Sequence, residues 1–274
     1  MKNAFILFFL QVLSTNYLIS QTNGLIVYKT VDKTGTINFF KLYFDEKTSV
    51  FVADKGKQGC RSKLNQQISI DDTISDPEER VLEARIFHRM VYSKYYDDEG
   101  QLVYKNFKDN VLICRVILSD GGIIVNEPTI PQLNWQLEDT FKKINNFQCQ
   151  KAVTNFRGRI YIAWFCREIP ISNGPWKLQG LPGFILEAYT DDHKFYYEPI
   201  SVELSPKKFI AISSPQLGQK INILEYNSIM KKKLDELIRQ LKLASSQRGA
   251  TMEIYFGSKE PLKPQELNYD DLKK

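Results

Sequence analysis

The chain has 274 residues, of which 43% are hydrophobic and 25% charged, and its formal net charge at pH 7 is +5. This composition is ordinary for a folded protein and excludes the disordered, collagen-like and polytopic membrane classes. With 2 His and 4 Cys, the chain has little material for a histidine-rich metal site, whereas its 17 Phe, 14 Tyr and 3 Trp favour a strand-rich fold with a large apolar core.

Residues 1–20 have the pattern of a secretory signal peptide. Lys2 supplies the positive charge, Ala4–Leu13 is a short apolar run, and Ser20 is a small residue suited to a cleavage site. The apolar run is about half as long as a membrane-spanning helix. We therefore expect an exported protein in the periplasm, at the outer membrane or outside the cell, without a transmembrane span after signal removal. Residues 21–274 are expected to form a single β-rich domain, and its mild, dispersed positive charge argues against nucleic acid as a partner.

The first part of this domain is predicted to be a meander of strands followed by a helix. Segments rich in β-branched and aromatic residues predict antiparallel strands at Gly24–Thr30, Ile37–Asp45 and Ser49–Ala53. A polar loop or insertion is expected near residues 55–76. Asp76 as cap and Pro77 at the first helical position predict a helix that ends near Tyr92.

The remaining chain predicts more strands and a second helix. The strands are expected at Leu102–Phe107, Asn110–Leu118, Ile123–Asn126, Leu133–Leu137, Phe147–Phe156, Arg159–Glu168, Phe184–Tyr189, Phe195–Leu204 and Met252–Phe256. Apolar residues at steps of three and four predict an amphipathic helix from Ile223 to Ser245, and a polar tail is expected from about residue 257. The fold class is therefore mainly β (α+β): a curved antiparallel sheet, forming a half-barrel or a barrel, with one or two helices packed on it.

The segment from Phe147 to Tyr189 carries a family signature. Its central hexapeptide is Gly180-Leu181-Pro182-Gly183-Phe184-Ile185, preceded in order by Cys149-Gln150-Lys151-Ala152, Phe156-Arg157-Gly158-Arg159, Ala163-Trp164-Phe165, Ile169-Pro170-Ile171 and Gly174-Pro175-Trp176. These pieces resemble the GLPGLI family of exported Bacteroidetes proteins, from which Phe184 and Cys166 are departures. The resemblance implies an exported, mostly β protein without an assigned activity, and it supplies no catalytic residues to transfer. The pattern also looks like the half-barrel sheet of periplasmic lipoprotein carriers.

Residues around the signature form a candidate binding surface. Pro182 and Gly183 predict a type II turn that leads into a core strand, with a binding loop as the alternative. Trp164 and Trp176 are interpreted either as core aromatics or as the lining of a pocket. Arg157 and Arg159 flank the hairpin tip, either as solvated charges or as ligands of an anion or a partner carboxylate. The candidate surface comprises Arg157, Arg159, Trp164, Trp176, Gly180, Leu181, Pro182 and Gly183.

Two of the cysteines are predicted to be neighbours. A two-residue turn at Arg157-Gly158 places Cys149 opposite Cys166 on a non-hydrogen-bonded pair of the ladder, where Cα atoms approach to about 4.5 Å. That distance lies at the short end of disulfide geometry, so a candidate disulfide and two buried thiols both remain open. A three-residue turn would instead place the two cysteines on opposite faces. In the same register Lys151 is expected opposite Trp164 as a cation–π pair, and the pairing of Cys60 and Cys114 stays open.

No recognised catalytic motif occurs in the sequence. There is no Gly-x-Ser-x-Gly elbow, His-Glu-x-x-His pair, Cys-x-x-Cys motif or phosphate-binding glycine loop, and Asp191-Asp192-His193 is interpreted as a turn. We predict no catalytic residues, no cofactor and no metal. The leading hypothesis is a non-catalytic binding protein of the cell envelope for an apolar ligand, a peptide or an envelope partner. The alternatives are an envelope hydrolase, with two close carboxylates or a Ser/Thr beside a base, and a structural component without a pocket.

Overall fold

Thirteen strands and one helix make up the described part of the chain. The computed structural model describes residues 23–31, 36–54, 60–61, 97–118, 121–193 and 195–246. The strands are β1 (Gly24–Val31), β2 (Thr36–Phe44), β3 (Thr48–Ala53), β4 (Cys60–Arg61), β5 (Leu102–Asn106), β6 (Val111–Leu118), β7 (Gly121–Glu127), β8 (Gln136–Ile144), β9 (Phe147–Phe156), β10 (Arg159–Cys166), β11 (Phe184–Thr190), β12 (Tyr196–Leu204) and β13 (Gln219–Asn222), and the helix is α1 (Ile223–Ser246). The signal peptide, most of the polar loop, the helix predicted to begin at Asp76, the last predicted strand and the polar tail lie outside these residues.

All thirteen strands belong to one curved sheet. Their order is β13-β7-β6-β5-β3-β2-β1-β12-β11-β10-β9-β8, and β4 pairs with β2 outside this path. Because β13 and β8 are the two ends of the order, the sheet is open and not a closed barrel. The mainly β class with a helix packed on the sheet is confirmed. The pairs of this sheet are antiparallel except one, since β13 runs parallel to β7.

The sheet buries its main core on one face and a smaller cluster on the other. Side chains that alternate along β1 and β2 are fully buried in the main core: Ile26, Tyr28, Leu42 and Phe44. The smaller cluster contains Val50, Leu102 and Tyr104, against which Ile212 packs from the segment that follows β12. Because the sheet makes apolar contacts on both of its faces, several of its strands are nearly continuous apolar runs in the sequence.

Two strands differ from the sequence prediction. β8 spans Gln136–Ile144, whereas the prediction placed a strand at Leu133–Leu137. As the terminal strand, β8 is exposed over most of its length, so it lacks the apolar alternation that marks a half-buried strand, and a bulge interrupts its pairing between Leu137 and Phe141. β13 was not predicted because only one of its four residues, Ile221, is buried.

The helix α1 begins where the sequence places it. The side chain of Asn222 accepts a hydrogen bond from the backbone amide of Glu225 at 2.8 Å, which caps the first turn. Ile223 is buried, and Tyr226 and Met230 pack against the main core, as the predicted apolar stripe requires. In the described part of the chain, no helix combines the length and apolar character needed to cross a membrane.

Candidate binding groove

The connection from β10 to β11, residues 167–183, lies across the buried face of the sheet, and we call it the signature connection. Its residues Ile169, Leu178 and Leu181 belong to the main core. The backbone amide of Ile185 donates to the carbonyl of Asn173 at 2.8 Å, which pairs the connection with the start of β11. The segment that carries the family signature is therefore largely part of the core.

The Gly-Leu-Pro-Gly turn is held by a close contact at its second glycine. Gly180 has φ +93° and Gly183 φ +152°, both in a region that other residues rarely adopt. A Cβ atom on Gly183 would clash with the carbonyl oxygen of Cys166. The amide of Gly183 donates to the carbonyl of Leu181 at 2.8 Å, which forms a γ-turn around Pro182. The predicted type II turn is wrong, because packing against the end of β10 holds Gly183 far from the φ of about +80° that such a turn needs.

Lys105 on β5 is buried and anchors the signature connection. Its ammonium group donates to Asn173 Oδ1 at 3.0 Å and to the carbonyls of Gly174 and Leu178, both at 2.9 Å. These three acceptors match the three protons of the charged amine. Burial lowers the pKa of Lys105 to about 7, so the charge of this anchor depends on pH near neutrality.

Ser49 on β3 is the cross-strand neighbour of Lys105, so a hydroxyl lies beside an amine as the hydrolase alternative requires. Its Oγ atom has no hydrogen-bond partner among the described residues. A nucleophilic serine needs a base with a free lone pair and access for the substrate. Here the amine directs its protons to the signature connection, and both side chains are buried. The pair therefore gives no support to a hydrolase.

Arg157 at the hairpin tip is buried and paired inside the protein. Arg157 and Gly158 have φ +47° and +83°, as in a two-residue type I′ turn. The guanidinium group contacts the carboxylate of Glu127 on β7 at 2.7 Å, and Lys177 of the signature connection binds the same carboxylate. Burial alone would raise the pKa of Glu127, but the charges of Lys177 and Arg157 lower it. Arg157 thus contacts an internal carboxylate and is not a solvated charge.

Arg159 is also buried and paired internally. It contacts the carboxylate of Asp192 at 2.7 Å and lies over the ring of Phe195, 5.1 Å from its centroid. Asp192 and His193 belong to the turn before β12, where the amide of His193 donates to the carbonyl of Thr190 at 2.9 Å. In the described ranges, no group of three His, Cys, Asp or Glu side chains is placed to hold a metal ion.

The two tryptophans of the predicted surface pack against different side chains. The ring of Trp176 packs against Phe156 and Tyr161, with centroids 5.8 and 5.9 Å apart. Trp164 is buried on β10, and the ammonium group of Lys142 lies 4.3 Å from its ring centroid. The structure therefore places both rings in packing roles and does not bring them together.

Lys151 is the cross-strand neighbour of Trp164, in the register that the two-residue turn predicts. Its ammonium group is instead 2.9 Å from the carboxylate of Glu138 on β8. Lys142, also on β8, provides the cation over Trp164 and contacts Glu187 at 2.7 Å. The cation–π contact exists, but it comes from the neighbouring strand, whose position was not predicted.

An open groove lies between the Gly-Leu-Pro-Gly turn and the residues that lead into β8. It has a volume of about 480 Å³ and is lined by Leu133, Asn134, Trp135, Gln136, Leu137, Gly180, Leu181 and Pro182. Trp135 connects the two sides, because its Nε1 atom donates to the carbonyl of Gln179 at 2.8 Å. None of the eight lining residues has a titratable side chain, so the groove offers hydrogen-bonding amides and apolar contacts but no general acid or base.

The groove contains part of the predicted surface and adds residues that the prediction missed. Gly180, Leu181 and Pro182 line it, whereas the two arginines, Trp164, Trp176 and Gly183 do not. Leu133–Leu137 was predicted only as a strand. The available signal was Trp135 itself, since tryptophan is enriched at binding surfaces, but its partial exposure cannot be deduced from the sequence.

The fold and the groove define the chain as an open, curved-sheet β protein with the signature connection packed across its core. The family model described as "Protein of unknown function (Porph_ging)" matches residues 157–187, from the hairpin tip into β11. This is the GLPGLI-type family, so the resemblance predicted from the sequence is confirmed and the chain carries the signature segment of that family. No curated protein matches the chain.

Two solved structures of PNGF-II, in space groups C2 and P21, are similar to part of the fold. Each is 16% identical to this chain with a TM-score of 0.49, and the alignments cover 78% of this chain and 33% and 34% of the PNGF-II chains. The chain therefore spans about a third of the length of the PNGF-II chains that it matches.

Proposed function

We propose that this chain is a non-catalytic binding protein of the cell envelope, and that the groove between the Gly-Leu-Pro-Gly turn and the start of β8 is its binding site. The observation that carries the proposal is the lining of the groove. Its side chains are apolar groups and neutral amides with no titratable group among them. Binding sites of this kind use apolar contact for affinity and a few amides for orientation.

The shape of the groove favours an extended peptide among the three ligand classes predicted from the sequence. A volume of about 480 Å³ lies in the range of known ligand sites, but the groove is open to solvent and cannot enclose a small apolar molecule. An extended segment can place one or two apolar side chains against Leu137 and Pro182 while the rest of its surface stays in water. Asn134 and Gln136 supply amides that can hydrogen-bond to the peptide backbone.

The proposal is tested by selecting peptides from a random library on the immobilised wild-type chain. Leu137 is 47% exposed in the groove and Leu224 is 52% exposed on α1, so Leu137→Asp and Leu224→Asp are matched substitutions. We expect selected peptides rich in uncharged, apolar residues, with affinity reduced at least about 10-fold by Leu137→Asp and unchanged by Leu224→Asp, since one buried apolar contact in a site is worth about 1–3 kcal/mol.

Two results would overturn the proposal. The first is a selection that yields no peptide, or peptides whose affinity for the Leu137→Asp variant equals that for the wild type. The second is hydrolysis of the bound peptides by the purified chain, read by mass spectrometry, because the lining offers no group that could catalyse it.

A further inference from the structure

Cys149 and Cys166 form a buried pair at the end of the hairpin opposite its turn. They are direct partners in the antiparallel ladder between β9 and β10. Neither side chain is exposed, and both are thiols in the structure. Counted from the two-residue turn, they occupy a non-hydrogen-bonded pair, where Cα atoms approach to about 4.5 Å. This spacing lies within the range of disulfide bonds.

The two thiols interact with each other and with Tyr28. A hydrogen bond between the two thiols, together with burial, raises the pKa of Cys149, and the same hydrogen bond lowers the pKa of Cys166. Tyr28 lies close enough for both sulfur atoms to act on its hydroxyl group, which donates to the carbonyl of Ile185 at 3.0 Å. The two sulfur atoms are therefore neighbours in the folded chain.

We propose that Cys149 and Cys166 are joined by a disulfide bond when the chain folds in an oxidising compartment. One of the two cysteines, as a thiolate, attacks one sulfur of an external disulfide, either a small-molecule disulfide or that of a thiol oxidase, and expels the first thiolate. The other cysteine then loses its proton and attacks the sulfur of the first cysteine in the mixed disulfide, which expels the second thiolate. Two electrons pass to the external disulfide, and the two protons from the cysteines convert the leaving groups to thiols.

The burial of both cysteines determines when this reaction takes place. An external disulfide cannot reach a sulfur atom that is fully enclosed by the main core. Oxidation therefore precedes completion of the core, after the hairpin has brought the two strands together. A hairpin with a type I′ turn forms within microseconds, long before thiol–disulfide exchange is complete.

The bond would fix the point where the signature connection starts and ends. Cys166 is the last residue of β10, and its carbonyl oxygen is the atom that a Cβ on Gly183 would strike. Both ends of the connection therefore meet at Cys166. A covalent bond from Cys166 to Cys149 ties this point to the neighbouring strand and stabilises the fold by restricting the unfolded chain.

The test uses the chain refolded from denaturant in a mixture of reduced and oxidised glutathione, then alkylated and digested without reductant. We expect one peptide pair linked through Cys149 and Cys166, in the wild type and equally in the control variant Cys114→Ala, whose cysteine lies on β6. A reductant should lower the Tm of both proteins by about 5–10 °C and leave a Cys149→Ser/Cys166→Ser variant unchanged.

The proposal is wrong if both cysteines are recovered as alkylated thiols after oxidative refolding, or if either is linked to Cys60 or Cys114. The peptide map of the wild type decides this even when the double serine variant fails to fold. The outcome is independent of the binding groove, since peptide selection does not measure the state of these cysteines.

Discussion

The two walls of the groove are built in opposite ways. Gly180–Pro182 belongs to the signature connection, which is tied to the sheet by buried charged groups, namely Lys105 on the carbonyls and Lys177 on Glu127. Leu133–Leu137 leads into β8, a terminal strand with a bulge that leaves Leu137 and Phe141 about half exposed. A wall held by buried charges is strongly destabilised by substitution, whereas an exposed apolar wall is available to a partner. Substitutions in the first wall should therefore act on stability and those in the second on binding.

The largest expected effect comes from the shared carboxylate on the anchored side. Glu127→Gln leaves Arg157 and Lys177 buried without this negative charge. We expect a loss of about 3–5 kcal/mol in the free energy of unfolding, measured by urea denaturation. Glu138→Gln is the matched control, because its ion pair with Lys151 is exposed and should contribute less than about 1 kcal/mol. Equal losses in the two variants would show that the buried pairs do not fix this wall.

The second effect concerns the contact at the end of the turn. Gly183→Ala should cost about 2–4 kcal/mol, because the new Cβ meets the Cys166 carbonyl and the backbone has a positive φ. Gly121→Ala is a control with φ +132° but no atom within 4 Å of the new Cβ, so it carries only the backbone strain. Thermal and urea unfolding of the two variants should differ by the cost of the clash. Indistinguishable stabilities would remove the argument that Gly183 is required for space.

The third effect is a pH dependence of the Lys105 anchor. Its pKa is about 7 in the folded protein against an ordinary value of 10.5 for a solvated lysine, so between these values the unfolded chain binds the extra proton. The free energy of unfolding of the wild type minus that of Lys105→Met should therefore rise with pH by about 1.4 kcal/mol per unit above pH ~7. Urea denaturation from about pH 7 to pH 9 measures this slope. Lys143→Met, on exposed β8, is the control for loss of a lysine charge elsewhere on the sheet, and a flat difference for Lys105→Met would contradict the burial of its charge.

The smallest effect on stability is expected at the exposed wall. Leu137→Asp should change the free energy of unfolding by no more than about 0.5 kcal/mol, since the side chain is 47% exposed. The same variant should lose peptide binding. A large destabilisation would mean that this wall is structural, and the comparison of the two walls would fail.

Local patterns predicted most of the elements, because the signals of strands, turns and helix caps lie within a few neighbouring residues. The start of α1 at Ile223 and the pairing of Cys149 with Cys166 both agree with the sequence, since one prediction used apolar residues at steps of three and four and the other a two-residue turn. β8 was misplaced because most of its side chains are exposed at the edge of the sheet, so the sequence lacks the apolar alternation of a half-buried strand. The roles of Arg157 and Arg159 were missed because their carboxylate partners come from other parts of the chain.

The sequence by itself determined the mainly β class, the family signature and the hairpin register, all of which follow from short-range chemistry. The tertiary structure decided which signature residues reach a surface. It buried the arginines and Trp164, packed the partly buried Trp176 against the core, and brought Gly180–Pro182 next to Trp135, some 45 residues earlier in the chain. Such long-range contacts depend on the order of strands in the sheet and on which charges find partners in the core. Neither is encoded in the spacing of neighbouring residues.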